Sequence, residues 1–479
     1  MVKKLNHKIV WIASGLLAGM LWTYGSFAQH EAYLNPVWKT REKAEFDTNS
    51  LWHAFKAGKV AGHIRQFSMA TINQGNGPDY FAAAIGAGIR YQSASFHRFQ
   101  VTLSGFLIHN IHSSELAEPD ETTGVLNRYE TGLFDVTDRS NKNDLDRLEE
   151  LHLSYQHKAW KLVFGKQIIN TPFINPQDGR MRPTEVSGLW TTWQPATSKW
   201  STDVAWLFQV SPRSTVRWYG IDESIGLYPQ GGNPDGTKSD YGNALHSSFI
   251  LYQQVRYQVA AGRQVQLTNQ LVEGIFNTSM LQANWQWPGV GGQWIGALQL
   301  THQTALGHGG NTQPQHSYFE KGSDIQVVSG RFGWKNKKWQ ASLNATRIGK
   351  GSRFLMPREW GKEPFFTFLP RERNEGLGDL TAMMIKLTHQ FSDDWTLDAG
   401  LGLYNLPSVT DYRHNKYGMP DYGQSNLAVH HRFSGPLQGL EADLLWVYKW
   451  NRDNEITAIK QMVNKVNMSN LNLVVNYHF

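Results

Sequence analysis

The sequence predicts an all-β protein: a transmembrane antiparallel up-and-down β-barrel of about 18 strands, with short periplasmic turns and long extracellular loops. Three observations carry this reading. From residue 60 onward, stretches of about ten residues alternate apolar and polar side chains, the period of a strand with one face in an apolar medium. Aromatic residues are abundant, with 19 Trp, 18 Tyr and 23 Phe, and they flank most of the short turns as an interfacial girdle requires. The other connections are long and polar, so the two rims differ. A soluble sandwich would bury its alternating face and show no such asymmetry.

Taken in order, the chain opens with Lys3, Lys4 and Lys8 ahead of an apolar run at 9–21, then Ser26-Phe27-Ala28. This predicts a signal peptide over 1–28. The run is shorter than the roughly 20 residues a spanning helix needs, and Gln29-His30-Glu31 follow it. Cleavage after Ala28 removes three lysines and no acid, taking the formal charge from +6 to +3. So mild a surplus makes nucleic acid a poor partner. The absence of cysteine excludes a disulfide scaffold and a thiolate metal site. Residues 29–58 read as a periplasmic N-terminal segment with a short helix near 51–56, and 59–479 as the barrel.

Within the barrel, Phe81, Ala83, Ile85, Ala87, Ile89 and Tyr91 share one face, with Gly86, Gly88 and Arg90 opposite. Hairpins of the same kind turn at Ser93-Ala94-Ser95, Gln156-His157-Lys158, Lys335-Asn336-Lys337-Lys338 and Ser392-Asp393-Asp394, with further turns at 195–199, 260–263, 288–292 and 434–439. Long connections fall at 109–147, 169–185, 211–243, 304–323, 350–378, 406–424 and 451–468. The last strand puts Leu471, Leu473, Val475, Tyr477 and Phe479 on one face and Asn472, Asn476 and His478 on the other. A chain ending on such a strand with a terminal Phe resembles outer-membrane proteins generally, whose assembly machinery recognises that end. Inward faces rich in Gln, Asn, Ser, Thr and Gly predict an aqueous channel, because a barrel of this size is too wide for side chains to fill.

Alternation also sorts the charges. Arg65, Arg90, Arg98, Lys161, Arg256, Lys386, Arg432 and Lys449 fall on lumen-facing positions, as do Glu150, Asp203, Asp398, Glu441 and Asp443. A lysine or arginine facing lipid at the midplane would cost about 2–4 kcal/mol, so inward placement is obligatory. Charged rings also select ions.

The stretch 170–184 interrupts this pattern. Pro172, Pro176, Pro183 and Gly179 keep it out of regular structure, leaving a rigid loop that carries Asp178, Arg180 and Arg182. Its surroundings resemble the OprD family of substrate-selective porins. The resemblance rests on Glu149-Glu150-Leu151-His152-Leu153-Ser154-Tyr155, Phe164-Gly165-Lys166-Gln167, Thr171-Pro172 and Asp178-Gly179-Arg180-Met181-Arg182-Pro183-Thr184, with similar stretches at 58–66 and 81–91. It implies an 18-stranded barrel in the outer membrane of a Gram-negative bacterium, among lipid and lipopolysaccharide, with the third outer loop (169–185) folded inward. It also implies passive diffusion of small solutes, often carboxylates, through a constriction to which Asp178, Arg180 and Arg182 belong.

The remaining motifs are weaker. Residues 350–378 carry Arg353, Arg358, Lys362, Arg371 and Arg373 with Glu359, Glu363, Glu372 and Glu375, and read as a solvated extracellular loop; the alternative is that they meet the third loop across the pore. The acidic stretch 115–121 reads as a surface face bridged to lipopolysaccharide by divalent ions. Asn233, Asp235 and Asp240 lack the spacing of a calcium loop, and His430-His431 point to opposite faces, so no metal or cofactor is expected. Enzyme motifs are absent. The alternative function, a lipase or protease built on a barrel, needs a Ser/His/acid cluster on one wall; His152 and Ser154 share an inward face beside Glu150, but residues in line along one strand are about 7 Å apart, too far for a proton relay without a neighbouring strand.

Overall fold

The structure, a computed structural model, describes residues 38–39, 47–177, 179–456 and 458–479. The leader 1–28 and Asp178 lie outside these. Eighteen long strands form the wall: β1 (Lys59–Asn73), β2 (Tyr80–Gln92), β3 (Phe99–Ser113), β4 (Leu145–His157), β5 (Trp160–Gln167), β6 (Glu185–Trp193), β7 (Trp200–Ser211), β8 (Ile250–Ala260), β9 (Arg263–Val272), β10 (Phe276–Gly289), β11 (Gly292–Ala305), β12 (Asp324–Lys335), β13 (Trp339–Ile348), β14 (Thr381–Gln390), β15 (Trp395–Asn405), β16 (Tyr422–Arg432), β17 (Leu440–Asn451) and β18 (Met468–His478). Each pairs antiparallel with the next, and β1 closes on β18 from His63↔His478 to Asn73↔Met468. Closure removes the edges that an open sheet would expose to lipid.

The alternation is obeyed on both faces. Outward Leu281, Leu298 and Leu300 are exposed, while inward Gln282, Gln299, Thr301 and Gln303 are covered. At the short-turn rim, aromatic pairs form the expected girdle: Trp160 with Trp193, Trp200 with Tyr257, Trp294 with Phe332, and Trp395 with His431. The helix α1 (Leu51–Lys56) sits against this rim. Ser50 caps it by accepting from His53 N, and Tyr91 donates to Phe55 O at 2.7 Å. Ahead of it, Asp47–Thr48 pair in parallel with Ser95–Phe96 in the β2–β3 turn.

Nine outer connections span 74–79, 114–144, 168–184, 212–249, 273–275, 306–323, 349–380, 406–421 and 452–467, numbered here as loops 1 to 9. Loops 1 and 5 are tight, so the long rim is not uniformly long as the sequence suggested. A larger correction concerns the lumen. Its long-loop half is not lined by polar wall alone but packed with loops. Inward residues there turn apolar, including Val186, Leu207, Ile250, Val272 and Phe276, and they receive Ile174 of loop 3, Ile225 of loop 4 and Trp360 of loop 7. A second apolar cluster joins Phe354, Phe365 and Leu377 of loop 7 to Tyr404 and Tyr422. The small residues of β2 serve the same packing. A Cβ on Gly86 would meet Phe106 at 2.2 Å, and one on Gly88 would meet Phe106 at 2.5 Å and Trp38 at 3.1 Å. The hydrophobic core of this molecule therefore lies inside its barrel.

Candidate functional site

Loop 3 is built from short local bonds and then pinned. Thr171 closes a turn, its N–H donating to Ile174 O and its hydroxyl accepting from Ile174 N, both at 2.8 Å. Asn175 then grips loop 7: its backbone N–H donates to Trp360 O, its amide donates to Lys362 O at 2.9 Å, and its carbonyl accepts from Lys362 N at 3.1 Å. Further along, Thr184 donates to Glu359 O at 2.8 Å and accepts from Arg213 N at 3.2 Å. Loop 7 is therefore not a solvated loop. Glu359, Lys362, Glu363, Asn374 and Glu375 are all buried, and the loop meets loop 3 inside the barrel. The reason is apolar: Phe354, Leu355, Met356, Trp360, Phe365 and Phe366 draw the charged residues in with them.

Beneath this junction, Arg182 forms a two-pronged ion pair with Glu149 through Nε and Nη2. Its guanidinium lies over Phe106 at 3.9 Å and Trp38 at 5.4 Å, with His63 Nδ1 3.2 Å from Nη1. Arg147 adds bonds to Pro183 O, Pro212 O and Ser211 Oγ, fastening the end of loop 3 to the start of loop 4. From the segment 29–58, Trp38 and Lys39 reach this lumenal floor. Trp38 packs edge-on to His63, and Lys39 pairs with Glu441 of β17.

Above the junction lies a cavity of about 700 Å³, lined by loops 2, 3, 4, 7, 8 and 9. Among the described residues its lining carries nine basic side chains and one carboxylate, Glu372. That carboxylate is already satisfied by Arg128 at 3.0 Å and Lys449 at 3.1 Å. Burial alone would raise it, but these two cations and Arg358 hold it down at about 2. Arg180, Arg213 and Arg373 are different: among the described residues no carboxylate lies within 4 Å of any of them. Arg180 donates to Gly179 O at 2.6 Å, and Arg373 donates to Gln177 Oε1 at 2.8 Å and Arg358 O at 3.2 Å. Arg213 Nε is buried without a partner. Burial, reinforced by the neighbouring guanidiniums, lowers all three to about 10, so they remain charged at neutral pH. Lys416, boxed by Tyr241, Tyr318 and Tyr417, is pushed down by burial to about 7.

No family model and no curated protein matches the chain. Solved structures do. OccK9 (OpdG) of Pseudomonas aeruginosa superposes with a TM-score of 0.67 at 14% identity, over 89% of this chain and 99% of that one. OccAB4 of Acinetobacter baumannii gives 0.67 at 13% identity, over 88% and 98%. OpdK of Pseudomonas aeruginosa, solved with vanillate, gives 0.65 at 14% identity, over 89% and 99%. The chain has the OprD-type fold.

In this OprD-type barrel the sequence-predicted residues separate into distinct settings. Arg180 lines the cavity, whereas Arg182 lies outside its lining, paired with Glu149. Of the wall residues, Arg90 pairs with Glu150 at 2.8 Å, Arg256 with Asp203 at 2.6 Å, Lys386 with Asp398 at 3.8 Å, Arg432 with Glu441 at 3.8 Å and Lys449 with Glu372 at 3.1 Å. Arg65 donates to Asn476 Oδ1 at 3.0 Å. Arg98 was misplaced by the alternation: it occupies the exposed β2–β3 turn in a left-handed conformation with φ 72°, not the lumen. Wall acids thus answer Arg90, Arg256, Lys386 and Arg432, an amide answers Arg65, and a loop 7 carboxylate answers Lys449. His152 and Ser154 bond separately, to Lys166 O and Gln100 O, while Glu150 serves Arg90. Arg128, Arg139, Arg213, Lys416 and Lys465 were missed, because loop residues obey no period that would aim them inward.

Proposed function

We propose that this chain is an outer-membrane porin through which small anionic solutes, carboxylates among them, diffuse passively down their gradient. One observation carries the reading: wall cations such as Arg90, Arg256 and Lys386 are paired with carboxylates, while in the cavity among the outer loops no described carboxylate forms an ion pair with Arg180, Arg213 or Arg373. A partly dehydrated oxyanion reaching that cavity exchanges water for charge-assisted N–H donors. Further down, the paired wall charges offer weaker sites, which suits transport because a solute must leave as readily as it binds. The vanillate held by OpdK is itself a carboxylate, which supports the same direction. Outward leucines and the aromatic girdle suit a lipid surround, and the terminal Phe479, whose backbone exchanges bonds with Gly62, suits recognition by assembly machinery.

The test is a planar-bilayer recording under a KCl gradient. The expected reversal potential is that of an anion-selective pore, and Arg213→Gln or Arg373→Gln moves it toward zero. A pore that favours potassium, or a protein that inserts without conductance, would refute the reading. Neutralising Asp178 is expected to increase anion preference; an unchanged potential removes that carboxylate from the path.

A further inference from the structure

We infer that the lipid-facing side of β8 to β12 is a docking surface for a second copy of this chain, the two barrels pairing about a two-fold axis along the membrane normal. The inference is independent of which ion the pore prefers.

Strand pairing aligns the outward residues of these five strands into rows. One row is Val255, Leu267, Leu281, Leu300 and Val328, apolar throughout as a lipid-facing wall requires. The next row toward the outer rim is polar throughout: Gln253, Asn269, Ser279, His302 and Gln326 stand directly opposite one another from strand to strand. Beyond it, Asn277, Thr304 and Asp324 are aligned in the same way. These side chains point away from the lumen. Gln253, His302, Asp324 and Gln326 are exposed, whereas the intervening Gln254, Thr268 and Gln303 are buried inside the barrel.

The belt lies within the apolar band of the wall. A strand rises about 3.4 Å per residue and tilts about 40°, so the climb from Arg263 to Asn269, or from Trp285 to Ser279, is about 16 Å of a band about 25 Å tall. Over the same climb β15 presents Leu397, Ala399, Leu401 and Leu403. Polar side chains facing hydrocarbon lose their bonds to water, and this belt satisfies itself only in part. Asn269 Nδ2 donates to Asn277 Oδ1 at 3.1 Å and to Ser279 Oγ at 2.8 Å, and His302 Nε2 lies 2.7 Å from Asp324 Oδ2. Among the described residues no hydrogen bond engages the Gln253 or Gln326 amide.

Charge and area select the partner. Neither polar row contains Lys or Arg, so the belt is ill suited to the phosphates of an outer-leaflet glycolipid. Amides and hydroxyls both donate and accept, so the surface complements itself. A two-fold axis through β10 sets Asn269, Asn277 and Ser279 of the two copies against each other, where polar groups join membrane-embedded walls. Five strands about 4.8 Å apart, over a band about 25 Å tall, offer roughly 600 Å² of wall, near the roughly 800 Å² that each side of a standard interface buries. The β9–β10 connection is the tight loop 5, so no long loop rises from the centre of this face.

The chain has no cysteine, so single introduced cysteines report contact directly. In the full-length protein in native outer membranes, Ser279→Cys is expected to form a disulfide-linked dimer under copper phenanthroline, and Leu401→Cys on β15 is expected to form none. In mild detergent, light scattering is expected to give the parent twice the monomer mass. The variant Asn269→Leu, Asn277→Leu and Ser279→Leu is expected at the monomer mass while still conducting ions. No cross-link at Ser279→Cys, equal cross-linking at both positions, or a leucine variant that stays dimeric overturns the inference. A trimer mass overturns the two-fold arrangement, and a monomer retaining lipopolysaccharide overturns it in favour of a glycolipid. If a variant does not insert, the parent's mass decides alone.

Discussion

At the scale of single residues, this barrel keeps two kinds of buried arginine. Arg182 is compensated: Glu149 takes two of its donors, and Arg147 shares that carboxylate at 3.4 Å. Removing the acid strands the buried Arg182 and leaves Arg147 with Glu185 at 3.7 Å, and breaking a buried pair in this way costs about 3–5 kcal/mol. Glu149→Gln is therefore expected to unfold at clearly lower urea in detergent, while the double variant Glu149→Leu with Arg182→Met recovers most of the loss. A single variant as stable as the parent would show that the pair does not brace the loop. Lys416 and Glu363 make a second case, both near 7 through burial. The lysine is charged below that value and neutral above it; the glutamate is neutral below and anionic above. Both steps make the loop region more negative as pH rises. The anion-to-cation permeability ratio is thus expected to fall between pH 6 and pH 8, with Lys416→Met showing a smaller fall. A ratio flat in pH would mean that neither group faces the permeating ions.

At the scale of elements, the contact between loops 3 and 7 is the one on which the site depends. Gly361 adopts φ +138°, and a Cβ there would come 2.5 Å from Asn175 Oδ1. Gly361→Ala is expected to cost about 1–3 kcal/mol locally and to let trypsin cut after Arg358 or Lys362 at doses that leave the parent intact. Equal protease resistance would show that this junction tolerates the methyl group. The same two loops mark where the sequence was legible. The strands declared themselves because a period of two survives in any single sequence, and a short helix was expected near 51–56, where α1 lies. Loop 3 was conspicuous through its prolines. Loop 7 was misread because nine charges drew more attention than Phe354, Met356, Trp360 and Phe365, yet a solvated loop has no use for so much apolar surface. Arg213 carried no signal at all. Its position is set by Thr184 and Tyr228, partners that only the folded chain supplies.

At the scale of the whole molecule, charge is divided by depth. Wall cations such as Arg65, Arg90, Arg256 and Lys386 are paired with acids or an amide, and the cavity cations sit among the outer loops, several of them largely out of solvent. Burial decides how those charges respond to salt. The Debye length falls from about 10 Å at 0.1 M to about 3 Å at 1 M, which silences exposed charges and leaves buried ones far less affected. If the filter is the buried trio of Arg180, Arg213 and Arg373, anion preference is expected to lose less than about half its value between 0.1 M and 1 M KCl. The triple variant Arg180→Gln, Arg213→Gln and Arg373→Gln is expected to show no preference at 1 M. A parent whose preference collapses to the bulk mobility ratio at 1 M would relocate selectivity to exposed charges at the rims, such as Arg347, Lys350 and Asp379 at the ends of β13 and β14. The trio would then be a structural cluster, and the cavity would not be the filter.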